Sequence, residues 1–129
     1  KALGGGMRQA GIIASAGIVA LENMVNRIKD DHINAQVLAE GLEKIDGITI
    51  NKSGIKTNII YFNIDMHRSR SKSLLKQTIN KTQYPYEIMM NDVSFLEISP
   101  SRFRLVTHCG IKKDDLGIVI SEIESMIEH

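Results

Sequence analysis

Apolar positions in this chain fall into a long helical block, a run of alternating segments, and a second helical block at the end. Leu21, Ile28, Ala35 and Leu42 recur every seven residues, with Val25, Leu38 and Ile45 beside them. That spacing predicts an amphipathic helix from about Met7 to Ile45. Unbroken, it would be more than about 50 Å long; the paired acids Asp30-Asp31 leave room for a bend. Its first part, residues 10 to 20, is small or apolar on every side. A helix apolar all round must be covered all round, so this stretch is expected to pack against another domain or subunit.

Ile48 to Ile50 begins a strand, and Ser53-Gly54 marks a turn. Thr57 to Ile64 alternates, with Asn58, Ile60, Phe62 and Ile64 on one face and Thr57, Ile59, Tyr61 and Asn63 on the other. Apolar groups on both faces predict a central strand. Residues 70–81 read as a short polar helix with Leu74, Leu75 and Ile79 inward. Pro85 bars a central-strand position at that point. Tyr86 to Met90 and Val93 to Ile98 read as strands around a turn at Asn91-Asp92, and Ser99-Pro100-Ser101 turns the chain again. Arg102 to His108 alternates, with Phe103, Leu105 and Thr107 opposite Arg102, Arg104, Val106 and His108. A last helix, about Lys112 to Ile127, has Asp114 and Asp115 in its first turn, where they complement the dipole. The expected class is α+β: a small, mainly antiparallel sheet covered by helices and preceded by a long helix. The expected division is 1–45, a glycine loop and connecting helix, and 46–129, a small α/β domain.

Composition narrows the partners. The 129 residues carry 16 basic and 15 acidic side chains, a net charge of +1, which argues against nucleic acid or an anionic membrane as the main partner. The cluster Arg68, Arg70, Lys72 in a Ser-rich stretch reads as a solvated loop rather than a phosphate patch. No apolar run approaches the roughly 20 residues that span a bilayer. A single cysteine, Cys109, fits a reducing compartment and hence the cytoplasm. It follows His108, but neighbours on a strand point to opposite faces, which disfavours a Cys/His nucleophile. His32 lies in the apolar stripe and reads as a buried structural histidine. No metal-ligand spacing, paired carboxylates or nucleophile elbow is present, so no catalytic residue is assigned. The chain opens on Lys1-Ala2-Leu3-Gly4-Gly5-Gly6 without Met and reads as an internal segment of a longer protein.

Two places could bind anions. Lys1 and Arg8 flank the glycines at a helix N-terminus, where close backbone approach and the dipole favour an anion. A flexible loop with two surface charges explains the same residues. Arg104 is mid-strand between inward-facing Phe103 and Leu105. If shielded it needs a carboxylate or phosphate partner; on an edge strand it would simply face water.

Several motifs, in order, resemble the low-specificity L-threonine aldolases. Lys1-Ala2-Leu3-Gly4-Gly5-Gly6-Met7-Arg8-Gln9-Ala10-Gly11 is similar to the family's glycine-loop segment, and Ala16-Gly17-Ile18-Val19-Ala20-Leu21 continues it. Asp30-Asp31-His32-Ile33-Asn34-Ala35, Leu38-Ala39-Glu40-Gly41-Leu42, Thr57-Asn58-Ile59-Ile60-Tyr61-Phe62 and Arg104-Leu105-Val106-Thr107-His108 follow. The likeness runs through the whole chain and is poorest over 68–100. It implies the small C-terminal domain of a fold-type-I, aspartate-aminotransferase-like enzyme that uses pyridoxal 5'-phosphate. It implies cleavage of β-hydroxy-α-amino acids, typically threonine to glycine and acetaldehyde, by a homo-oligomer, a dimer or tetramer. At matching positions it makes Arg104 the substrate-carboxylate arginine. Lys1 and Arg8 become the basic pair offered to the cofactor site, usually of a neighbouring subunit. Thr107 and His108 match without an implied chemical role. The lysine that carries the cofactor is expected upstream, so this chain alone is expected to be inactive. Alternatives are another enzyme of that fold (a β-eliminating lyase, an aminotransferase or a serine-directed aldol cleavage) and a non-enzymatic helical interaction module using residues 10–20.

Overall fold

The computed structural model describes residues 5–65, 86–90 and 93–128. The chain order is α1 (Ala10–Val19), a π-helical turn (Ala20–Met24), α2 (Ile28–Leu42), β1 (Ile48–Ile50), a 3-10 turn (Lys52–Gly54), β2 (Ile59–Ile64), β3 (Tyr86–Met90), β4 (Val93–Ser99), β5 (Arg102–Val106) and α3 (Lys113–Glu128). The strands form one sheet in the order β1-β2-β5-β4-β3, and every pairing is antiparallel. This is the expected α+β architecture. The strand expected to be central, β2, has a partner on each side, and β3 lies at one edge of the described sheet. The expected helix at 70–81, the Arg68-Arg70-Lys72 cluster and the turn at Asn91-Asp92 lie outside the described residues.

One face of the sheet builds the core. Ile60, Phe62 and Ile64 of β2 alternate with outward Tyr61 and Asn63, and β5 contributes Phe103 and Leu105 in register beside them. Phe62 stacks on Phe103 at 5.4 Å between ring centroids, and Phe95 of β4 meets Phe103 edge-on at 5.7 Å. Helices α2 and α3 cover these rings with Leu38, Leu42, Leu116, Ile123 and Met126. Gly41 lets the two helices come close: a Cβ there would collide with the Ile120 side chain of α3.

The leading helix differs from expectation. It is broken at 25–27, a few residues before the expected bend, and a π-helical turn precedes the break. Each π bond spans an extra residue, so the helix loses phase there. Asp30 and Asp31 instead lie in the first turn of α2, where carboxylates favour the helix N-terminus. The heptad stripe is therefore split: Ala35 and Leu42 are buried, while Leu21, Val25 and Ile28 are exposed. No residue of α1 is buried, and Ile12 is 72% exposed. His32, expected to be buried, is only half-buried and makes no hydrogen bond among the described residues. The last strand ends at Val106 rather than His108; Thr107 still bonds its register neighbour Asn58, donating its N–H to the Asn58 carbonyl at 2.9 Å, and His108 lies past the ladder.

Candidate functional site

The outer face of the sheet, opposite the core, holds Arg104. Its register partners are Tyr61 on β2 and Leu96 on β4. Alternation along β5 puts Phe103 and Leu105 into the core and so fixes Arg102, Arg104 and Val106 on this side. Arg102 lies over the Tyr61 ring, its guanidinium carbon 5.1 Å from the centroid. Arg104 is half-buried, and its Nε is shut off from water with no hydrogen-bond partner among the described residues. An orphaned buried donor costs stability unless something accepts its proton. A guanidinium so placed suits a planar anion such as a carboxylate.

The other candidate arginine, Arg8, is exposed in the loop before α1, and Lys1 lies outside the described residues. Gly5 and Gly6 have open space where a Cβ would stand, and neither has positive φ. Nothing within the described chain therefore demands glycine there. Arg8 and Arg104 share no hydrogen bond, ion pair or cavity among the described residues.

The motif residues without assigned chemistry are structural ties. Thr107 is buried and its Oγ1 donates to the Asp31 carbonyl at 2.7 Å, joining the end of β5 to α2. The buried Asp31 carboxylate accepts two hydrogen bonds from Arg27, at 2.5 and 3.2 Å. That bond pushes the Arg27 guanidinium above its ordinary pKa. Asn34 reaches the Ile111 carbonyl at 3.1 Å. The spacing of four between Arg27 and Asp31 signals such a pair on a helix, and the sequence reading passed over it. His108 and Cys109 are exposed and lie past the strand, in a turn. The His108 Nδ1 accepts the Gly110 N–H at 3.0 Å, so it is not poised toward the thiol.

A cavity of about 430 Å³ opens between α2, the end of β5 and the start of α3, with Leu38, Val106, Ile111 and Ile118 in its walls. It contains neither candidate arginine. Among the described residues no group of three or more His, Cys, Asp or Glu could hold a metal ion, and no helix is long and apolar enough to cross a membrane.

The family model of the beta-eliminating lyases matches residues 1–65, which takes in the glycine loop, α1, α2 and β2. The chain belongs to the beta-eliminating lyase family. A probable low-specificity L-threonine aldolase 2 of Arabidopsis thaliana is 36% identical over 129 residues, covering 98% of this chain and 33% of the relative. Low-specificity L-threonine aldolase 1 of the same plant is 31% identical over 94% of this chain and 31% of its own length. The low specificity L-threonine aldolase of Escherichia coli (strain K12) is 32% identical over 92% of this chain, again 31% of the relative. The chain thus spans about a third of the length of the curated relatives it matches. Lyases of this family depend in general on pyridoxal phosphate. The residues present fit a part in a site that binds anions: Arg104 has a buried donor without a partner among the described residues, and Arg8 is an exposed cation beside unobstructed glycines.

Proposed function

We propose that the full-length protein is a pyridoxal-phosphate-dependent lyase that cleaves L-threonine and L-allo-threonine to glycine and acetaldehyde. The observation that carries this is the shielded Nε of Arg104 on the outer face of the sheet, without a hydrogen-bond partner among the described residues, in a chain whose relatives are named threonine aldolases. Arg104 clasps the α-carboxylate of the β-hydroxy-α-amino acid through its planar fork. Held at that end, the substrate has its Cα–Cβ bond fixed in one orientation, and fixing geometry in advance removes much of the entropic barrier. When bound, pyridoxal phosphate supplies the electron sink for breaking that bond. The β-hydroxyl loses its proton as the carbonyl of acetaldehyde forms, and Cα gains a proton to give glycine.

Lys1 and Arg8 hold the cofactor's phosphate end, in the site of a neighbouring subunit of a dimer or tetramer. Residues 1–45 present the loop and helix, and 46–129 form the small domain that closes over the substrate. On this reading the lysine that carries the cofactor belongs upstream of these residues. The 129 residues alone, mixed with pyridoxal phosphate, are therefore expected to give no protein-bound visible absorbance band and no turnover.

The test is Arg104→Ala in the full-length enzyme. kcat/KM for threonine is expected to fall by about 10²- to 10⁴-fold, as befits loss of a charge-assisted bidentate contact. An unchanged kcat/KM would sink the reading. The family's own description favours a second reading, β-elimination. Products separate the two: glycine and an aldehyde for aldol cleavage, a 2-oxo acid and ammonia for elimination.

A further inference from the structure

Glu97 is the acidic residue in an otherwise inward-facing row. It shares its face of β4 with Phe95, pairs with Phe103 on β5, and is only 6% exposed. Its Oε1 accepts the backbone N–H of Ser101 at 3.1 Å. Ser101 sits in the turn Ser99-Pro100-Ser101-Arg102 with φ of 64°, the left-handed region that favours Gly or Asn. Proline second and positive φ third is the pattern of a type II turn. The Ser101 carbonyl is held as well, accepting the N–H of Ile64 on β2 at 3.0 Å. Between Glu97 and Ser99 the β4–β5 register shifts, leaving Ile98 as an extra residue in a bulge.

These features meet at one point. A bulge and a left-handed serine are both ways to lose register, and a slip of one residue turns every side chain of a strand to the other face. Such a slip in β5 would send Arg104 inward and bring Phe103 out. We propose that Glu97 is a positioning residue for Arg104: by gripping the Ser101 N–H it locks the turn and bulge, and so holds Arg104 on the outer face at the height where it meets the substrate carboxylate. The inference rests on the proposed role of Arg104. What it adds is a buried acid on the opposite face of the sheet that acts through backbone register and never touches substrate.

The experiment compares Glu97→Asp, which keeps the charge but is one methylene too short to reach Ser101, with Glu97→Gln, which loses the charge but keeps the acceptor. Both are made in the full-length enzyme, alongside Arg104→Lys. Glu97→Asp is expected to raise KM for threonine about tenfold, as a misplaced clamp should, with kcat within about threefold of the parent. Glu97→Gln should stay within about twofold of the parent KM. Adding Ser101→Gly to Glu97→Asp should recover most of the lost affinity, because glycine takes the left-handed conformation unaided. A parental KM in folded Glu97→Asp overturns the proposal, as does equal damage from Glu97→Gln. So does a collapse of the Glu97→Asp fold that Ser101→Gly does not rescue, which would make Glu97 a residue of stability alone. If Arg104→Lys leaves KM unchanged, the reading of Arg104 itself fails. If it raises KM while Glu97→Asp does not, only the inference about Glu97 falls.

Discussion

Helices α1 and α2 follow one another along the chain, and α1 is the more apolar by far, yet only α2 is buried. Helix α2 has a polar side and an apolar side. Its Ala35, Leu38, Ala39 and Leu42 lie against the sheet and α3. Helix α1 has no such sides, and Ile12, Ile13, Ile18 and Val19 all stand exposed. Hydrophobicity alone therefore does not say where a helix packs; the asymmetry of its surface does. A one-sided helix can finish its burial within a small domain. A helix apolar all round needs neighbours on every side, and the described chain offers it none. The same division separates the two candidate arginines. Arg104 stands on the sheet that α2 helps to build, while Arg8 stands at the head of α1.

The comparison breaks most easily at the core. Phe62 is fully buried and its ring meets both Phe95 and Phe103. Phe62→Ala is expected to destabilise the 129-residue chain by about 3–5 kcal/mol, the usual cost of deleting a core ring. Urea unfolding measures it; a loss under about 1 kcal/mol would mean that the sheet and α2 do not share a working core. A smaller loss is expected at the tie between α2 and β5. Thr107→Val keeps the shape but removes the donor to the Asp31 carbonyl, at about 1–3 kcal/mol. If that variant unfolds at the same urea concentration as the parent, the Thr107 bond does not help to hold α2 to β5.

Gly41 tests how tightly α2 meets α3. Alanine there would gain about 0.5–1 kcal/mol of helix propensity but would overlap Ile120, and overpacking costs about 1–3 kcal/mol. A net loss of about 1 kcal/mol is expected for Gly41→Ala. Because the clash is with the end of the Ile120 side chain, Gly41→Ala combined with Ile120→Val should be more stable than Gly41→Ala by itself. The reverse order would show that the helices stand further apart.

Much of this was legible in the residues. Alternation placed β2 and β5 to within two residues and put Arg104 on the face opposite Phe103 and Leu105, and the turn signals on either side placed β4 to within one. The apolar spacing of Leu116, Val119, Ile120, Ile123, Met126 and Ile127 marked α3; Leu116, Ile123, Met126 and Ile127 are buried, and Val119 and Ile120 are partly buried against the core. The break after α1 was not legible, since Leu21, Val25 and Ile28 keep the spacing of a continuous helix straight through the π turn. A phase shift is set by backbone hydrogen bonds, which apolar spacing does not record. Glu97 was passed over because an acid in a strand ordinarily faces water. The signal was its parity with Val93 and Phe95, two residues before Ser-Pro-Ser. As for Arg104, the alternation gave its face, but a ligand is not written in a strand's pattern; its assignment came from the motif it shares with the aldolases.

The smallest expected effect sharpens the contrast most. Ile13 is as apolar as Phe62 but 62% exposed, and α1 buries nothing in this chain. Ile13→Ser removes an exposed apolar side chain and leaves the intrinsic helix propensity nearly unchanged. In the 129-residue chain the change in unfolding free energy should stay within about 0.5 kcal/mol, as for other surface positions. In the full-length protein, where the rest of the polypeptide or a second subunit can lie over α1, the same substitution should cost about 2–3 kcal/mol or shift the oligomeric state seen by light scattering. The two measurements are needed together. A large loss in the short chain would put α1 in the same core as α2 and erase the difference between them. A negligible loss in both would mean that an all-apolar helix stands in water even in the whole protein, against the expectation that such a surface must be covered.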